Sequence, residues 1–191
     1  GASESMTRAT VLKTGQWVHV CYVNRDGANS KLYLDGVQDA TATGYALDAG
    51  VNNVMFGSNN NPSGFWHGRI DDIRFYSVAL TAAQVAALNA GDSTAANYPV
   101  DTNLVGHWPC DDGEQGGAVT DDPVYALVSQ DDIWRFYQTT TSKRPLFDSA
   151  GINNRASIVF NGTSKLMICD NVNLAQQLGC FSWSVKPASV S

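Results

Sequence analysis

The amino-acid sequence predicts an all-β fold carrying one short helix near residues 82–90. Three observations carry this expectation. Short runs rich in β-branched and aromatic residues recur, as in segments 17–23 (WVHVCYV), 70–76 (IDDIRFY) and 104–108 (LVGHW). Turn chemistry such as Asp35-Gly36 and Asn161-Gly162 separates them, within a chain of 17 glycines. Only one segment has both a start and a stop signal for a helix. Thr81 and Gln84 form a T-x-x-Q capping box before it, and Gly91 can close it in a left-handed conformation.

Each element follows from its own residues. Segment 17–23 is almost continuously apolar and reads as a buried strand. Segment 31–34 leads into Asp35-Gly36, a two-residue hairpin turn that needs positive φ and returns the chain through Val37. Segment 52–56 is a further strand ending at Gly57, and 58–63 (SNNNPS) is a surface loop. In 70–76, counting by twos places Asp71, Ile73 and Phe75 on one face and Asp72, Arg74 and Tyr76 on the other.

Residues 92–103 read as a linker, opening with the small, polar run DSTAANYP. After the strand at 104–108, residues 114–155 show little periodicity and no assignable element. Strands resume at 156–160, turn at Asn161-Gly162 as a type I′ hairpin, continue through 165–169, and end with 181–185 before Pro187.

The motif G-x-I-D-D-I-R-x-Y-x-x-x-L-T-x-x-x-V, with GQWVHVCYV and KLYLDGVQ upstream, resembles the closing half of laminin-G-like (concanavalin A-like) domains. NLVGHWPCDDG, SIVFNGTSKLMI and FSWSVKP resemble the opening half. The resemblance implies an antiparallel β-sandwich of jelly-roll type with its halves in inverted order: 1–91 like the end of a domain, 104–191 like the beginning. Three arrangements fit: a slice through a tandem array, a circular permutant, or halves completed by neighbouring subunits. A compact, permuted-looking sandwich is the favoured expectation, with subunit completion into a polymer close behind, because half a sandwich with open edges should not persist alone.

Composition narrows the function. The net charge is −6 without a Lys/Arg cluster, which argues against nucleic acid or an anionic membrane as partner. No apolar run approaches a membrane span. Glycosidases of the resembled fold use two Glu on one strand, whereas this chain has only Glu4 and Glu114. Neighbouring Asp-Asp pairs on a strand point to opposite faces and cannot flank one bond. A non-enzyme is therefore expected. His19 lies inside an apolar strand and reads as a packed core histidine.

The resemblance also implies a structural calcium held by Asp71 and the Asn161-Gly162 turn, with Asp111 and Asp112 as further ligands; calcium takes oxygen donors of this kind. Against it stands a carboxylate at Asp71 satisfied by backbone N–H groups or by Arg69 or Arg74. Trp66, Trp134 and Tyr137 are candidates for stacking on carbohydrate, with core or interface packing as the blander reading. For the four cysteines two readings stay open: a Cys169–Cys180 disulfide, or thiols packed as small hydrophobes. The expectation is a non-catalytic structural or adhesive module, extracellular or on a cell or virion surface, self-associating as a homo-oligomer or filament. A lectin, calcium-dependent and binding glycans, is the alternative.

Overall fold

The computed structural model describes residues 9–24, 30–42, 51–58, 64–91, 93–99, 103–110, 126–128, 135–148, 157–173 and 179–188. The first half of the chain supplies β1 (Val18–Val23), β2 (Ser30–Leu34), β3 (Val37–Ala42), β4 (Val51–Phe56), β5 (His67–Tyr76) and helix α1 (Ala82–Ala90). The second half supplies β6 (Leu104–Trp108), β7 (Ala126–Val128), β8 (Arg135–Tyr137), β9 (Leu146–Asp148), β10 (Ser157–Asn161), β11 (Met167–Asn173) and β12 (Cys180–Pro187).

The strands form two antiparallel sheets. The larger runs β3-β2-β1-β12-β5-β10-β9, with β6 also paired to β5. The smaller runs β4-β11-β8-β7. Their facing surfaces meet in one apolar core, to which Ile73, Phe75, Trp108 and Ile158 come from the larger sheet and Phe136 and Met167 from the smaller. The sheets therefore pack as a sandwich.

The two halves of the chain alternate in the larger sheet. Its register aligns Val18, Val185, Ile70, Ile158 and Phe147 in one row across β1, β12, β5, β10 and β9. All five are buried. Each apolar residue in this row except Phe147 thus has a neighbour from the other half of the chain on at least one side, and cross-strand pairs of this kind are the unit of sheet stability. Strand β5 is the spine: β12 lies along one edge, while β10 and β6 share the other.

That shared edge explains a departure from the alternation expected for 70–76. Between Asp71 and Arg74 the pairing with β12 shifts, so Asp72 and Ile73 together oppose Trp183. Asp72 takes a left-handed φ of 50°. This is a β-bulge, which resets the pleat. Ile70 and Ile73, three apart, both enter the core, and Asp71 no longer shares the face of Ile73 and Phe75.

Helix α1 matches its sequence signals. Thr81 caps Gln84, Gln84 returns the bond to the Thr81 backbone, and Gly91 is left-handed at φ 67°. Its Val85 and Leu88 cover a second apolar cluster on the outer face of the larger sheet, with Cys21, Tyr33, Tyr76 and Cys180. The Asp35-Gly36 turn has both φ values positive and closes the β2–β3 hairpin at Leu34–Val37.

Asn161-Gly162 does something else. Strand β10 belongs to the larger sheet and β11 to the smaller, so this segment crosses between sheets and is not a type I′ hairpin. Within 114–155, β7, β8 and β9 and a short 3-10 turn at Thr141–Lys143 appear. Strands of three residues are too short to leave a periodic signature.

Candidate functional site

The open feature of the sandwich is a groove of about 920 Å³ between the sheets. Its origin is the unequal width of the two sheets. Strand β4 is the last strand of the smaller sheet, whereas the larger one continues through β1, β2 and β3. Val20, Leu32 and Leu34 form one wall, Val54 and Phe56 another, and Trp66 and Trp183 are aromatic lining. The surface is mostly apolar. Trp66 is half-buried, and its Nε1 has no hydrogen-bond partner among the described residues. That nitrogen is itself buried, and a buried donor without an acceptor costs free energy.

A second cluster, polar, lies on the opposite face of the larger sheet. Burial drives the imidazole of His19 down to about 4, against the pull of Asp72 and Asp35, so it is neutral near pH 7. Its Nε2 lies 2.7 Å from Ser182 Oγ. The bulge residue Asp72 accepts from Arg74 Nε at 3.0 Å and sits 2.7 Å from His107 Nε2. Burial works against its charge, but the His107 hydrogen bond and the Arg74 guanidinium hold the carboxyl below its ordinary range. Arg74 also donates to the Tyr98 hydroxyl at 2.6 Å.

A serine, a histidine and an aspartate near one another invite comparison with a nucleophilic triad. Here Ser182 is 1% exposed, and His19 Nδ1 has no partner among the described residues. A catalytic imidazole needs a third group at that nitrogen and a substrate at the serine. The hydrogen bonds instead tie β1 to β12 and β5 to β6. Local spacing does not reveal it, because 163 residues separate His19 from Ser182.

Asp71 and Asn161, two of the residues named for calcium, stand apart. Asn161 pairs with His67 across β10 and β5, which puts it four residues along the strand from Asp71, roughly 13 Å. The Asn161 side-chain oxygen already accepts the N–H groups of Thr163, Ser164 and Lys165 at 3.0–3.2 Å. Asp71 is buried, and its Oδ1 accepts the Asp72 N–H at 2.8 Å. Asp111 and Asp112 lie outside the described residues. Among the described residues no group of three or more His, Cys, Asp or Glu side chains is placed to hold a metal ion.

The aromatic candidates also separate. Trp66 lines the groove. Tyr137 pairs with Ile168 and Ala126 in the smaller sheet and is half-buried, away from that lining. Its neighbour Phe136 is fully buried. Trp134 lies outside the described residues. For the cysteines, Cys180 does face another sulfur, but it is that of Cys21 at 3.1 Å. Cys21, Cys110 and Cys180 are unbridged in this structure, and the side chain of Cys169 lies outside the described residues.

Antiparallel pairing, two facing sheets and one short α-helix among the described residues define a β-sandwich, an arrangement consistent with a concanavalin A-like fold. Residues 1–86 match the family model described as the concanavalin A-like lectin/glucanases superfamily, of laminin-G type. That segment runs from the N-terminus through β5 and into α1, a little under half of the chain. No curated protein and no solved structure gives a significant match to the chain. No helix among the described residues is long and apolar enough to cross a membrane.

Proposed function

We propose that this chain is a non-catalytic structural module, working outside the cell or on a particle surface, whose two half-domains complete one sandwich and can do so within or between chains. The carrying observation is the alternation in the larger sheet, where β12 is held between β1 and β5. Residues 1–91 without their complement would leave β1 and β5 with unpaired edges and a bare apolar face. Such edges recruit other strands. A neighbouring copy offers the same complementary half, so a closed sandwich and an assembly of exchanged halves use the same contacts.

Light scattering with negative-stain microscopy on the full chain tests this reading. Concentration-dependent dimers, filaments or closed particles are expected beside the monomer. A strictly monomeric, cooperatively folded protein at all concentrations would remove self-assembly from the proposal.

The groove supports a second reading, a lectin, because Trp66 and Trp183 line an open cleft. Aromatic faces suit a sugar ring. A glycan array probed with and without calcium tests it. Saturable binding that disappears in Trp66→Ala supports the lectin, and binding unaffected by that change rejects the groove as its site.

A further inference from the structure

Cys21 and Cys180 stand on neighbouring strands from the two ends of the chain, 159 residues apart in sequence. The register pairs Cys21 with Ser182 and Val23 with Cys180. The two cysteines are therefore diagonal neighbours on one face of the β1–β12 pair. Their sulfurs are 3.1 Å apart, and both side chains are fully buried beneath α1. A disulfide needs about 2.05 Å between sulfurs, so the pair has to close by roughly 1 Å.

The surroundings offer these thiols little else. They sit among Tyr33, Tyr76, Val85 and Leu88, and besides Cys21 the Cys180 thiol has the Phe181 carbonyl at 3.8 Å and a backbone hydrogen bond with Leu80. Burial, then the contact with Cys21, raises the Cys180 thiol well above its usual range. The thiolate needed for exchange is thus suppressed once α1 covers the pair. Bond formation belongs to the folding chain, before that cover closes.

We infer that Cys21 and Cys180 form a disulfide that sews the first strand to the last, and with them the two halves of the sandwich. The oxidant is a small disulfide donor of an oxidising compartment. One cysteine thiolate attacks the donor, forming a mixed disulfide and releasing one donor thiolate. The second cysteine thiolate then attacks the mixed disulfide at the protein sulfur and releases the other donor thiolate. The two cysteine protons end on the two released thiols. The donor gains the two electrons that the cysteines lose.

The inference rests on the β1–β12 pairing and not on self-assembly, since that pairing can join one chain or two. The test is to refold the full chain in oxidised and reduced glutathione, block free thiols with iodoacetamide, and map peptides without reduction. The expected product is a Cys21–Cys180 linked peptide, with Cys110 and Cys169 alkylated. The oxidised protein should unfold at higher urea than the reduced protein, and Cys21→Ser should abolish both the linkage and the difference. Linkage within one chain or between two chains each supports the site, and the two are told apart by non-reducing electrophoresis. A folded protein with all four thiols alkylated, or a bridge through Cys169 or Cys110, overturns it. The peptide map of the unaltered chain decides even if Cys21→Ser fails to fold.

Discussion

The Nε2 atom of His19 lies 2.7 Å from the Oγ of Ser182, joining the first strand of the sandwich to the last. In the β1–β12 register His19 stands opposite Ser184, so the bond runs diagonally across the pair. The side chains around it are Asp35, whose Oδ1 accepts the His19 backbone N–H at 2.9 Å, and Asp72 and Arg74, whose charges reach the ring.

This burial makes stability depend on pH. His19 falls from 6.5 when unfolded to about 4 in the fold. Between these values the unfolded chain binds a proton that the folded chain refuses, so acid favours unfolding. Stability should decline as pH drops from 6.5 towards 4, by about 3 kcal/mol at most, and this contribution should level off below 4. Urea midpoints measured across that range in the wild type and in His19→Asn check it. Parallel profiles in the two proteins would assign the slope to other groups.

The Asp72–Arg74–Tyr98 chain should also respond to mutation. Arg74→Met leaves Asp72 with His107 alone in a partly buried site, and a loss of about 1–3 kcal/mol is expected at neutral pH. Adding Asp72→Asn to that variant should recover part of the loss, because the stranded charge is gone. Asp72 ionises below its ordinary 3.8 in the fold, so its contribution is present above that pH and fades as pH falls below it. A double-mutant cycle by urea unfolding measures the coupling, and additive effects would show that the pair is uncoupled.

Phe136 is the keystone of the aromatic core. It has no exposed surface and meets Phe56 at 4.8 Å and Trp108 at 4.9 Å, edge to face. Phe136→Ala should cost about 3–5 kcal/mol through lost burial and an unfilled cavity. Val37→Ser, at a side chain 71% exposed, should change stability by less than about 0.5 kcal/mol. Thermal or urea unfolding of both variants makes the comparison.

Two glycines with similar backbones should behave differently. Gly15 and Gly57 have φ values of 75° and 84°. A Cβ on Gly15 meets nothing within 4 Å, whereas one on Gly57 would lie 2.2 Å from the Phe160 ring. Gly15→Ala should therefore cost only the left-handed strain, about 1–2 kcal/mol. Gly57→Ala should cost clearly more, on the order of 3 kcal/mol or above, as strain and overpacking combine. Equal losses would mean that Phe160 moves aside freely.

Much of the fold was legible because its signals are local. The Thr81–Gln84 box, the Gly91 stop and the Asp35-Gly36 turn each act within about four residues, and the structure carries all three. Alternating or continuous apolar runs likewise located β1, β6 and β12. The candidate site was less legible. Trp66 was singled out, but the groove around it exists only because β4 ends the smaller sheet while β1 and β2 extend beyond it. Neither wall is visible from the residues beside Trp66.

What the sequence determined by itself is the kind of element each segment forms, through capping, turn chemistry and apolar spacing. Tertiary structure alone decided which elements meet. The bulge at Asp72 broke the alternation read for β5, since its place depends on how β12, β6 and β10 divide the edges of one strand. The Cys21–Cys180 contact and the His19–Ser182 bond join residues about 160 positions apart. Such pairings are selected by the burial of a shared core, a property of the whole chain and of no short window within it.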